Sequence, residues 1–166
     1  MESGILKLIK IKNENIDIFF KVMASAMSEI KSGDKENIEN ASTEHFMANG
    51  EDTDFIEAFV VSYNDKNIGV IVLGKFTNIE SDKNGELKYI FISKPYRYQG
   101  FGSILLTFAK NRMKEKGYKM LYAKAINFRK DFKNFLLCNE FIQTTMVLPI
   151  PNSPDFSEYV FINKLK

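Results

Sequence analysis

Gly100 and Gly102 stand one residue apart between an apolar run, ELKYIFIS from Glu86 to Ser93, and a stretch whose apolar residues Ile104, Leu105, Phe108, Ala109 and Met113 share one helical face. Glycine inside a helix costs roughly 1 kcal/mol relative to alanine. Two of them at a strand-to-helix junction imply that the backbone itself has a task there. A helix start offers four unpaired N–H groups. Glycines let the main chain approach a ligand closely, and the helix dipole favours negative charge. A phosphate or pyrophosphate is the natural occupant of such a turn. The bland alternative is a tight turn beside a solvated arginine, Arg97.

The remaining chain supplies the frame. Ile5, Leu6, Leu8, Ile9 and Ile11 predict a first strand ending near Asn13. Phe19, Phe20, Met23, Met27 and Ile30 predict an amphipathic helix from Ile16, capped by Asn13 or Asn15. A polar segment follows, with a weak helical pattern through Ile38, Ala41 and Phe46. Phe55 to Tyr63 and Ile68 to Phe76 read as a hairpin around the turn NDKN. After the Gly100–Gly102 helix, which Gly117 closes as a C′ residue, come a strand from Lys119 to Ile126 and a helix from Phe128 to Cys138. Strands over Phe141–Leu148 and Glu158–Leu165 complete the order. Hairpins mixed with strand-helix-strand crossovers predict an α/β fold: a single domain over residues 1–166, with a mixed, mostly antiparallel sheet of about seven strands flanked by about four helices.

Composition narrows the function. A chain of 166 residues with 45% apolar and 27% charged residues is expected to be globular. A formal charge of +2 gives no general reason to expect nucleic acid as a partner. One cysteine, Cys138, and one histidine, His45, leave no thiol or imidazole cluster for a metal, so no metal is expected. MESGILKLIKIKN lacks the pattern of a secretory leader, and no window has the ~18 apolar residues of a membrane span. The expected location is therefore the cytoplasm, with no membrane partner.

Three phosphate-binding patterns compete for the glycine turn. The Walker A pattern is absent, and the dinucleotide fingerprint needs a third glycine where Leu105 stands. Arg97-Tyr98-Gln99-Gly100-Phe101-Gly102 fits [Q/R]-x-x-G-x-[G/A], and IFISKPYRYQGFGSILL resembles the strand-turn-helix consensus of the GNAT superfamily of acetyl-CoA-dependent N-acetyltransferases. The order of elements over the whole chain is also similar to the GNAT fold.

That resemblance implies acetyl-CoA as cosubstrate and a primary amine, on a small molecule or a peptide, as acceptor. It implies that backbone amides of Tyr98, Gln99, Gly100, Phe101, Gly102 and Ser103 wrap the pyrophosphate, with Arg97 adding charge. Ile90, Phe91 and Ile92 would pair their backbone with the pantetheine arm, and an N–H of Ile92 or its neighbour would serve the oxyanion. Asn127 matches an asparagine that contacts the arm or the amine. Glu86, six residues before Ile92, has the register of the catalytic glutamate in the histone-acetylating branch; the alternative is a polar strand end after Asn84-Gly85. A homodimer is a common assembly in the family.

The chain departs from the family at the general acid. Aligning the N-x-x-A-x-x-L-Y-x-x-x-G-F segment on Phe141 puts Leu136 at the tyrosine and Glu140 at the glycine; aligning on Asn127 puts Asn134 at the tyrosine. A thiol of pKa near 8.5 leaving at pH 7 lies only roughly 2 kcal/mol uphill, so the loss is tolerable. Tyr122 is the first substitute, with Tyr118 and Cys138 behind it. The readings left open are an N-acetyltransferase acting by direct attack in a ternary complex, a weak or inert acyl-CoA-binding or partner-binding GNAT domain, and nucleic-acid binding through the 94–133 region. His45 and Phe46 fall where the family lines its acceptor side; Phe128 and Phe132 are further candidates for an acceptor pocket or for plain packing.

Overall fold

The structure, a computed structural model, describes residues 4–31 and 54–166. The segment through Ile38, Ala41, His45 and Phe46 lies outside the described residues. Seven strands, β1 (Leu6–Lys10), β2 (Phe55–Tyr63), β3 (Lys66–Lys75), β4 (Asn84–Ile92), β5 (Met120–Ile126), β6 (Ile142–Pro149) and β7 (Ser157–Lys164), form one sheet in the order β1-β2-β3-β4-β5-β7-β6. Three helices stand among the described residues: α1 (Ile16–Lys31), α2 (Phe101–Glu115) and α3 (Lys130–Cys138). The expected α/β class and the seven-stranded mixed sheet are found. β4 and β5 pair in parallel, while β1–β2, β5–β7 and β6–β7 pair antiparallel.

The described chain divides into two compact units. The first comprises residues up to Val72 together with Tyr89–Gly102. Its core buries Phe19, Val22, Met23 and Ala26 of α1 against Ala58, Val60, Val70, Val72 and Phe91 of the strands. The i, i+3, i+4, i+7 stripe thus begins at Phe19 and runs through Val22 and Ala26. Phe20, expected on that face, is exposed. Asn15 supports the helix start, its Oδ1 accepting the Lys12 N–H at 2.7 Å and its Nδ2 donating to the Lys10 carbonyl at 3.0 Å. The β2–β3 turn is tighter than the expected four residues. Asn64 and Asp65 both have positive φ, 49° and 60°, the geometry of a two-residue hairpin turn whose twist suits the strands.

The second unit comprises Leu73–Lys88 and Ser103–Lys166. On one face of its strands Phe76, Tyr122 and Val160 are buried, with Met120, Met146, Leu148 and Ile162 against them. Both helix ends in this unit close with the same hydrogen-bond pair. After α2, the Tyr118 N–H donates to the Met113 carbonyl and the Gly117 N–H to that of Lys114, with Gly117 at φ 86°. After α3, the Phe141 N–H donates to the Leu136 carbonyl and the Glu140 N–H to that of Leu137, with Glu140 at φ 68°. Glu140 therefore occupies a backbone position that favours glycine.

Candidate active site

The turn that leads into α2 belongs to the first unit. Pro95 stands in a short 3-10 segment, Lys94–Tyr96, that redirects the chain after β4. Tyr98 then takes φ 61° and Gly100 φ 86°. A Cβ added at Gly100 would meet nothing within 4 Å, so the backbone angle, not space, calls for glycine there. The helix begins at Phe101. Phe101 is buried against Tyr63 at 4.9 Å between ring centroids, which anchors the helix start, while Tyr98 is fully exposed. Among the described residues, no loop or turn hydrogen bond uses the amides of Tyr98 through Ser103. A left-handed turn with free amides at a helix N-terminus is a cradle for an anion.

Arg97 has a different environment from the one expected of a phosphate-facing charge. Its Nε donates to the Ile92 carbonyl at 2.6 Å and its Nη2 to Glu29 Oε2 on α1 at 2.9 Å. Its guanidinium lies 5.5 Å from the Phe91 ring centroid. The Glu29 carboxylate also accepts the Lys94 N–H at 3.3 Å. Arg97 and Glu29 together fasten the turn to the end of β4 and to α1. Sequence reading missed Glu29, because the two residues meet only through the fold.

β4 is registered with β5 over Asn84–Leu87, against Met120–Ala123, and runs on to Ile92. Ile90 is half-buried, whereas Phe91 and Ile92 are buried. At the end of β5, the Asn127 N–H donates to the Ser157 carbonyl and its Nδ2 to that of Asp155 at 3.4 Å. Its Oδ1 is buried and accepts nothing. A buried acceptor left open in this way suits an N–H donor from outside the chain.

The second unit gathers charge on one sheet face. Glu86 and Tyr122 are register partners across the parallel ladder, so their side chains share that face. Glu86 is only 5% exposed. Lys124 Nζ lies 3.0 Å from its Oε1 and Lys88 Nζ 3.6 Å from its Oε2. Lys124 also sits 5.5 Å from the Phe76 ring centroid, and Phe76 stacks on Tyr122 at 4.0 Å with an interplanar angle of 5°. Burial pushes the Tyr122 phenol pKa up from a value at which a phenol is already protonated at neutral pH. Glu158 on β7, opposite Ile126, completes the group. Burial pushes its carboxyl pKa up and Glu86 adds to the rise, while Lys124 opposes it. The alternation Glu86-Leu87-Lys88 and Tyr122-Ala123-Lys124 was a period-2 signal for the lysines. Nothing local pointed to Glu158.

The positive φ of Glu140 bears on the missing phenol. It matches the alignment on Phe141, in which Glu140 takes the glycine position and Leu136 the tyrosine position. Leu136 is fully buried, and Asn134, the other alignment's choice, is exposed. Cys138 is exposed.

The model of the acetyltransferase (GNAT) family matches residues 24–132, more than half of the chain. The chain belongs to the GNAT family. No curated protein sequence matches it. Among solved structures, a GNAT-family acetyltransferase from Staphylococcus aureus Mu50 superposes with a TM-score of 0.69 at 18% identity, over 98% of this chain and 100% of the other. Ard1 from Thermoplasma volcanium superposes at 0.65 with 15% identity, over 98% of each. A Bacillus anthracis protein described as a streptothricin acetyltransferase, solved with acetyl coenzyme A, gives 0.59 at 19% identity over 68% of this chain and 64% of its own. These likenesses give the GNAT fold, and GNAT membership gives an acetyltransferase whose family uses acetyl-CoA.

Within the two units, the structure brings Glu86 and Tyr122 together on one face, and Arg97 through Gly102 into one turn. Asn127 lies at the end of the strand that carries Tyr122. Among the described residues, no three His, Cys, Asp or Glu side chains are grouped to hold a metal. No helix among them is long and apolar enough to cross a membrane.

Proposed function

We propose that this GNAT protein transfers the acetyl group of acetyl-CoA to a primary amine by direct attack in a ternary complex. The observation that carries the reading is the Tyr98–Gly102 turn, whose left-handed residues leave a row of free amides at the start of α2. Acetyl-CoA supplies an activated thioester. Amides from Tyr98 to Ser103 would hold its pyrophosphate. The edge of β4 through Ile90, Phe91 and Ile92, past the last residue registered with β5, would pair with its extended arm. The open Oδ1 of Asn127 fits an amide or amine N–H of the bound pair.

For the chemistry, a carboxylate of the Glu86 face receives a proton from the acceptor nitrogen, and the Tyr122 phenol gives one to the departing sulfur. Support for Tyr122 is its register beside Glu86, with a phenol that carries its proton at neutral pH. The acceptor is a small-molecule or peptide amine. Free-thiol release, measured with acetyl-CoA and a panel of lysine, spermidine, a dipeptide and an aminoglycoside, tests the reading. Thiol release above the acceptor-free rate with at least one amine is expected.

The buried Leu136 at the family's tyrosine position favours a second reading, an acyl-CoA-binding domain without turnover. It predicts acetyl-CoA binding by titration calorimetry but no thiol release with any acceptor.

A further inference from the structure

Both oxygens of Glu86 are engaged, Oε1 by Lys124 at 3.0 Å and Oε2 by Lys88 at 3.6 Å. A proton arriving at either one would break an ion pair. Glu158 stands differently. Lys124 is opposite Val160 and Ile126 opposite Glu158, so Glu158 is the diagonal neighbour of Lys124 on the same face. Among the described residues its side chain makes no hydrogen bond or ion pair, although much of it is buried. The charged groups facing it are Lys124 on β5 and Glu86 with Lys88 on β4; on β6 its register partner is the apolar Leu148. A partly desolvated carboxylate beside a paired one is the arrangement that separates a proton acceptor from a structural charge.

We propose that Glu158 takes the proton of the acceptor ammonium, and that Glu86 is a positioning residue that holds Lys124 away from Glu158. The inference rests on the acetyl-transfer reading above. In the step, an N–H bond of the ammonium breaks and its proton goes to the Glu158 carboxylate. The freed amine forms the C–N bond as the C–S bond breaks; the Tyr122 phenol gives its proton to the departing sulfur, and the second nitrogen proton restores the phenol. The raised pKa of Glu158 serves this, because a weaker acid is a better match for a strongly basic amine. A resident base matters most for alkyl amines. With a pKa near 10.4 only about one in 2500 is free at pH 7, against roughly one in seven α-amines. The site therefore points to a lysine-side-chain or polyamine type of acceptor.

The test follows kcat/KM against pH for Glu158→Gln and Glu86→Gln, with lysine, spermidine and a dipeptide as acceptors. Removing a general base costs about 10²–10⁴-fold. Glu158→Gln is expected to lose on that order with lysine or spermidine and less with the dipeptide, and to lose the acidic limb of the profile. Glu86→Gln keeps the limb but moves it to lower pH, because Glu86 no longer raises Glu158 and Lys124 is released to pair with it. Independently of turnover, ¹³C-glutamate NMR of the protein alone should show one carboxyl titrating above the ordinary range. That signal is absent in Glu158→Gln and titrates lower in Glu86→Gln. Should Glu158→Gln fold poorly, Glu158→Asp is expected to turn over slowly while keeping the limb. Full activity and an intact limb in Glu158→Gln, with both lost in Glu86→Gln, would overturn the assignment and leave acetyl transfer standing. A wild type that releases no thiol with any amine would overturn the transfer reading, and the assignment with it.

Discussion

Lys124 Nζ reaches Glu86 Oε1 at 3.0 Å across the parallel β4–β5 ladder, two residues beyond Tyr122, the register partner of Glu86. The contact joins two strands that are distant in sequence and leaves a buried carboxylate dependent on two lysines. Removing one partner of a buried pair is costly because the remaining charge stays desolvated. Lys124→Met is therefore expected to destabilise the protein by about 3 kcal/mol, the low end for such pairs because Lys88 remains. Urea denaturation checks this.

Glu158 gives a pH-dependent counterpart. Its pKa is raised on folding, so its protonated form is favoured in the folded state. Its contribution to stability is present below the unfolded pKa, near 4.3, and is lost as pH rises through the higher folded value. Glu158→Gln, which cannot ionise, should have a higher Tm than the wild type at pH 7. The difference should shrink as pH falls through the window between the two values. A gain in stability with a loss of activity is the usual mark of a functional group held at a cost.

Arg97 and Glu29 fix the glycine turn rather than facing it with a free charge. Arg97→Ala loses the Ile92 carbonyl contact and the Glu29 pair, and the loosened turn should raise the acetyl-CoA Kd roughly tenfold, equivalent to about 1.4 kcal/mol. Glu29→Gln retains an acceptor and should cost less. Titration calorimetry with acetyl-CoA compares the two.

Gly100→Ala meets no steric obstacle but must hold φ near 86°. A left-handed non-glycine residue costs roughly 1–2 kcal/mol, which appears as lost stability or as a relaxed turn with weaker acetyl-CoA binding. Differential scanning calorimetry with and without acetyl-CoA separates these outcomes. Glu140→Gly applies the opposite change at the end of α3, and its Tm should rise.

Local chemistry was readable where it was decided locally. Gly117 ended α2 as expected, because glycine takes the left-handed conformation of a helix end at the least cost. The RYQGFG turn was legible for the same reason. Glu140, in the equivalent place after α3, carried no such mark, since the lone clue was a position at which glycine was absent. Phe20 was misplaced because adjacent phenylalanines fit the helical period almost equally well, and only the packing of Phe19 against β2 and β3 separates them. Glu86 could be placed on a strand, yet its two lysines and Glu158 meet it only through sheet register. The partners of Arg97 were likewise set by the fold rather than by spacing.

Titration calorimetry of the protein with acetyl-CoA and with S-acetylpantetheine, which has the arm but no pyrophosphate, bears most directly on the turn at the start of α2. The account predicts saturable binding of acetyl-CoA and binding of the truncated thioester at least tenfold weaker. No heat from acetyl-CoA at millimolar concentration, or equal affinity for the two, would contradict it.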